Sequence, residues 1–156
     1  MSTTTRRRLM QGAGALAIAG PLAVTLVRSA RATPESMQQA IDKIVGSGKV
    51  TKGKIAIDIP PLVENGNVVP LTVSVDSPMT GDNYVKAIHV FNEKNPQPHV
   101  ISIKLGPRAG KAAVSTRIRL ATTQMVVVIA EMSDETLWTD RAECIVTAAA
   151  CVEATL

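Results

Sequence analysis

Ile55-Ala56-Ile57-Asp58-Ile59 alternates and then halts at Pro60-Pro61. Val68-Val69-Pro70-Leu71-Thr72-Val73-Ser74-Val75 alternates again. A period of two places every second side chain on one face, the signature of a half-buried strand. Pro70 has no N–H for a ladder and predicts an edge position. Further strand candidates follow at residues 84–91, 99–105, 112–120, 124–132 and 143–147. Turn signals separate them: Glu64-Asn65-Gly66-Asn67, Met79-Thr80-Gly81-Asp82-Asn83, Asn95-Pro96-Gln97-Pro98 and Gly106-Pro107-Arg108-Ala109-Gly110. Seven short strands at this spacing predict an all-β fold, an immunoglobulin-like antiparallel β-sandwich. Cys144 and Cys151 are only seven positions apart and cannot sit on two facing central strands, so no inter-sheet disulfide is expected. The run Gln124-Met125-Val126-Val127-Val128-Ile129-Ala130 is almost continuously apolar. It predicts a strand buried on both faces, or one whose second face is covered by another subunit.

Upstream of the strands the period changes. Pro34-Glu35-Ser36 opens a short N-terminal helix, with proline in the first turn and an acid suited to the helix dipole. Met37, Ala40, Ile41, Ile44 and Val45 recur at helical spacing, and Gly46-Ser47-Gly48 stops the pattern.

Residues 1–32 read as an address. A polar start carries Arg6-Arg7-Arg8, an apolar stretch of small residues follows, and Ala30-Arg31-Ala32 forms an A-x-A cleavage site. Arg6-Arg7-Arg8-Leu9-Met10 fits the twin-arginine export signal. Gly12, Gly14, Gly20 and Pro21 interrupt the apolar stretch and weigh against a retained membrane anchor. The expected organisation is a cleaved signal over 1–32, a β-sandwich over 33–147 and a C-terminal arm over 148–156, with the periplasm as destination. Twin-arginine substrates cross folded, which implies a cofactor or a co-exported partner.

The formal charge of +4 misleads about partners. Five of the 17 Lys and Arg lie in the leader, and all 13 Asp and Glu lie after it. The mature chain keeps 12 basic and 13 acidic residues, a net charge of −1, which leaves no polyanion footprint. Tyr84, Phe91 and Trp138 are its three aromatics, too few for a base-stacking platform. No nucleic-acid partner is expected.

The residue types also weigh against resident cofactors. A blue-copper site wants a histidine shortly after its cysteine, but His89 and His99 both precede Cys144 and Cys151. No Cys-x-x-Cys or His-x-x-x-His pair supports zinc. No nucleophile elbow or Gly-rich phosphate loop is present. No cofactor, metal or catalytic residue is assigned. His89 and His99 read as packing or surface residues.

Cys151 lies on a short tail beyond the last strand. A thiol on such a tail is accessible and can carry an exchangeable sulfur–sulfur bond into another protein's channel. Cys144 lies inside the strand pattern Glu143-Cys144-Ile145-Val146-Thr147 and reads as a small buried residue, with a disulfide to Cys151 as the rival.

An ordered set of residues resembles the SoxY family, the sulfur-carrying subunit of periplasmic thiosulfate oxidation. It comprises Val63-Glu64-Asn65-Gly66 with Val69-Pro70-Leu71, Val73-Ser74-Val75-Asp76-Ser77-Pro78-Met79-Thr80, and Tyr84-Val85. It continues with Phe91 and Asn95-Pro96-Gln97-Pro98, Ser115-Thr116-Arg117-Ile118-Arg119-Leu120-Ala121, and Ala130-Glu131-Met132-Ser133-Asp134 before Trp138. The resemblance implies a covalent carrier of sulfur species such as thiosulfate, with Cys151 as the attachment site. It also implies a heterodimer with a SoxZ-like subunit and visits from SoxAX-, SoxB- and SoxCD-like enzymes. The strand edges and the region from Val126 to Ile129 are the candidate partner surfaces. The family's arm reads Gly-Gly-Cys-Gly-Gly. Here Ala149 and Ala150 precede the cysteine and Val152 and Glu153 follow it. Each added methyl restricts the arm, and Glu153 repels an anionic load. The alternative is therefore a noncatalytic paralogue that keeps the heterodimer and carries nothing. A redox pair of Cys144 and Cys151 is a third reading.

Overall fold

A computed structural model describes residues 33–148. The expected export signal, residues 1–32, lies outside them, as do residues 149–156. Helix α1 spans Pro34–Val45, and Thr33 caps it through a reciprocal bond pair with Ser36. Nine strands follow: β1 (Val50–Lys52), β2 (Ile55–Asp58), β3 (Leu62–Asn65), β4 (Val69–Val75), β5 (Val85–Asn92), β6 (His99–Lys104), β7 (Ala113–Ile118), β8 (Gln124–Met132) and β9 (Leu137–Ala148). They form two sheets. The larger runs β1-β9-β8-β5-β6, with β3 also on β9; the smaller runs β2-β4-β7.

The expected sandwich is present, with two additions. β1 and β3 both pair with β9, and both pairings are parallel. They share one edge of the 12-residue β9: β1 takes its start, at Leu137 to Thr139, and β3 takes its end, from Ile145 to Ala148. A correction concerns β4, which is the central strand of its sheet. Proline is tolerated there because β2 pairs only with Thr72 to Val75, so Pro70 faces a partner, Arg117, on one side alone.

The apolar run of β8 is buried on both faces, as one of its two readings expected. Val126 and Val128 enter the core between the sheets with Leu71, Val73, Ile88 and Val90. Ile129 points the other way and packs with Phe91, Leu137 and the α1 residue Ile41. Met37, Ala40, Ile44 and Val45 complete that second core. The cover is therefore the chain's own helix. Val126, Val128 and Ile129 are at most 1% exposed, which corrects their reading as a partner surface. Only the intervening Val127 is partly exposed. Cys144 lies fully buried in the inter-sheet core with a free thiol.

Candidate functional site

The end of β9 defines the candidate site, because the chain continues from it to Cys151, the expected attachment residue. β8 stops pairing with β9 at the Gln124–Cys144 register. From there β9 runs on as an extension held by other groups. Its next residues pair with β3, Leu62 opposite Ile145, Val63 opposite Val146 and Asn65 opposite Ala148. The Ile145 N–H donates to the Pro61 carbonyl at 2.9 Å. The Val146 N–H donates to Thr123 Oγ1 at 3.0 Å. The Gly66 N–H donates to the Ala148 carbonyl at 3.2 Å, and the Gly66 carbonyl accepts from the Leu120 N–H at 2.8 Å. Ala148, the first residue of the expected arm, is thus still a strand residue. Cys151 itself lies outside the described residues.

The same end of the sandwich carries a buried amide cluster. Gln124, 1% exposed, accepts at Oε1 from the Lys94 N–H and donates through Nε2 to Asn95 Oδ1, at 2.7 and 2.8 Å. Asn95 Oδ1 also accepts from the Ala121 N–H at 2.8 Å, and its Nδ2 donates to the Arg119 carbonyl at 2.7 Å. These bonds satisfy the polar groups that close the sandwich end and fix the loop after β5 against the loop after β7. Sequence reasoning read Asn95-Pro96-Gln97-Pro98 only as a turn. It missed the anchoring role of Asn95, since the partners stand 24 to 29 positions away.

Cys144 is unsuited to sulfur exchange. Burial pushes the Cys144 thiol above its ordinary value, so at neutral pH it is protonated and inert. His89 and His99 meet at Ser102, whose Oγ stands 2.6 Å from His89 Nδ1 and 2.8 Å from His99 Nε2. His89 is a buried packing residue and its Nε2 has no partner; His99 is exposed. Among the described residues, no three His, Cys, Asp and Glu side chains come together as metal ligands.

Burial lowers the His89 pKa below its ordinary value of 6.5, Glu131 opposes the shift and His99 adds to it. An unfolded chain then takes up a proton that the folded chain refuses. Stability is fully present above the unfolded-state pKa and is lost as pH falls from about 6.5 toward the lower folded value. Urea unfolding at pH 7.5 and pH 5.5 checks this. His89→Gln should lose less stability than the parent on acidification; equal losses would overturn the assignment.

Most of the described chain matches known proteins. A family model described as "Sulfur oxidation protein SoxY" matches residues 41–151. No curated protein sequence matches. The solved structure of the sulfur carrier protein SoxY from Chlorobium limicola f thiosulfatophilum is 32% identical, with a TM-score of 0.62, covering 73% of this chain and 98% of that one. A superoxide reductase (neelaredoxin) from Ignicoccus hospitalis is 19% identical with a TM-score of 0.54, covering 74% and 94%. At that identity the reductase shares the fold alone. With a sandwich of this topology and a family match that runs through residue 151, the chain belongs to the SoxY family of sulfur oxidation proteins.

Proposed function

We propose that this protein is a periplasmic sulfur carrier that holds sulfur species such as thiosulfate covalently on Cys151 and presents them to partner enzymes. The observation that carries the reading is the family match extending through residue 151. The braced end of β9 supports it, since Ala148 lies three residues before the thiol. A carrier needs a rigid root and an accessible sulfur nucleophile, and the chemistry of loading and release belongs to its visitors. SoxAX-, SoxB- and SoxCD-like enzymes are the visitors that family membership supports.

A SoxZ-like subunit is the proposed heterodimer partner. Leu62 and Ile145 are paired neighbours and remain 53% and 45% exposed, an apolar spot at the root of the tail. The twin-arginine leader supports export to the periplasm together with that partner.

Ala149, Ala150, Val152 and Glu153 favour one second reading, a paralogue that keeps the partner and has lost its load. Intact mass of the protein purified from the periplasm separates the two. A carrier should show sulfur or sulfonate increments that map to Cys151 and disappear with reductant. A bare thiol, unchanged after exposure to thiosulfate-oxidising extract, would select the paralogue.

A further inference from the structure

β5 and β6 meet in a bulge that gathers both histidines on one face. Ser102 pairs with His89 and Ile101 with Val90, but the next pair is His99 with Phe91, so Val100 is an extra residue in β6. Strand alternation alone would set His99, three positions from Ser102, on the opposite face. The extra residue reverses this. Val100 and Ile101 both pack toward the core between the sheets. His99 and Ser102 therefore both turn outward, beside Phe91 and His89. Bulges on edge strands commonly re-aim a side chain in this way, and β6 is an edge strand. The Phe91 ring backs that of His99, with 5.2 Å between their centres. Two ring nitrogens thus aim at one point: His89 Nδ1 and His99 Nε2 stand 2.6 and 2.8 Å from the same Ser102 Oγ.

A hydroxyl has one proton, so it donates to one of these nitrogens and accepts from the other. A cation at the same point would take a lone pair from each. Imidazole nitrogen suits zinc, copper and nickel. Zinc–imidazole bonds are about 2.0–2.1 Å, so each nitrogen would close in by about 0.5–0.8 Å. His99 and Ser102 are exposed, which leaves the ring room to shift and the hydroxyl room to rotate away. His89 is 8% exposed, and burial lowers its pKa, which holds the ring neutral as a metal ligand must be. Glu131 acts on that ring with a negative charge, which it shares with Lys86 at 2.8 Å. Lys104, two positions beyond Ser102, is exposed, and solvent screens its repulsion. We propose that His89 and His99 bind a divalent cation of the zinc, copper and nickel class in place of the Ser102 hydroxyl, with water completing the coordination. Such a cation ties the edge strand β6 to β5. The site stands three strands from β9, so it does not depend on the carrier reading.

The test titrates zinc chloride into Cys151→Ser protein that carries no histidine tag. That background removes the competing tail thiol. NMR follows the two imidazoles. Both rings should shift together and saturate at one zinc per chain. In the same background His99→Gln, a change at an exposed position, should weaken binding by about tenfold or more. Ser102→Ala should bind zinc at least as tightly, because the displaced hydroxyl makes no bond to the metal. Zinc should also raise the thermal midpoint of the Cys151→Ser protein, and raise it less in His99→Gln. Imidazole signals unmoved at millimolar zinc would overturn the site. So would a shift of His99 alone, or equal affinity with and without His99. Loss of binding in Ser102→Ala, with the fold intact by NMR, would overturn the displacement of the hydroxyl.

Discussion

Cys151→Ser is expected to abolish the reductant-sensitive mass increments completely. Cys144→Ser should leave them in place. The expected asymmetry follows from the surroundings of Cys144 and from the place of Cys151 in the sequence, beyond β9. The Cys144 thiol is 0% exposed in the core between the sheets, and burial raises its pKa. A thiol so placed is neither deprotonated nor reachable by another sulfur. Replacing it with a hydroxyl buries a stronger polar group without a designed partner and should cost about 1–3 kcal/mol of stability. One variant is therefore read in mass and the other in urea unfolding. Loss of loading in both, at normal stability, would instead support a redox pair of Cys144 and Cys151. Persistence of the increments in Cys151→Ser would sink the carrier assignment to that residue.

Phe91→Ala should have the largest effect on stability, about 3–5 kcal/mol. Phe91 is 0% exposed on the outer face of the larger sheet, where it packs with Ile41, Ile129 and Leu137. It is the only phenylalanine in the chain. Its loss opens a cavity under α1 that neighbouring aliphatic side chains cannot fill without moving the helix. The same variant should speed amide hydrogen exchange through residues 34–45, because α1 is amphipathic and depends on this contact. A change below about 1 kcal/mol, with exchange unaltered, would mean that the helix does not stabilise the sheet through Phe91.

Much of this was legible in the residues. Alternation located β2 and β4, the further strand candidates matched β5, β6 and β7, and the candidate over 124–132 gave β8 with both ends correct. Pro34-Glu35-Ser36 and Gly46-Ser47-Gly48 bounded α1. What escaped was β1, β3 and the first half of β9. β1 and β3 have three and four residues, too few to show a period. They exist because β9 offers an edge to which they add in parallel, a long-range fact with no local signal. The start of β9 holds Trp138-Thr139-Asp140-Arg141, polar enough to hide a strand whose outer side chains are partly exposed. Pro70 misled because one strand can be central along part of its length and an edge along the rest.

The candidate site divided the same way. Cys151 came from its place on the tail and from the family resemblance, which needs no three-dimensional information. The amide cluster joins Lys94 and Asn95 to residues 119–124, so no spacing in the sequence reveals it.

The parallel brace on the end of β9 has a mechanical meaning. On the proposed carrier reading, a visiting enzyme that took hold of the tail would pull on the end of β9. The β3 pairing from Ile145 to Ala148 lies across the strand axis, so its bonds are loaded together in shear rather than opened one at a time. Thr123 and Gly66 add further stitches at Val146 and Ala148. Tension on the load is thus spread into the smaller loops and the sheet before β9 can peel from β8. Such a root would let a partner tug repeatedly at the tail without unravelling the domain.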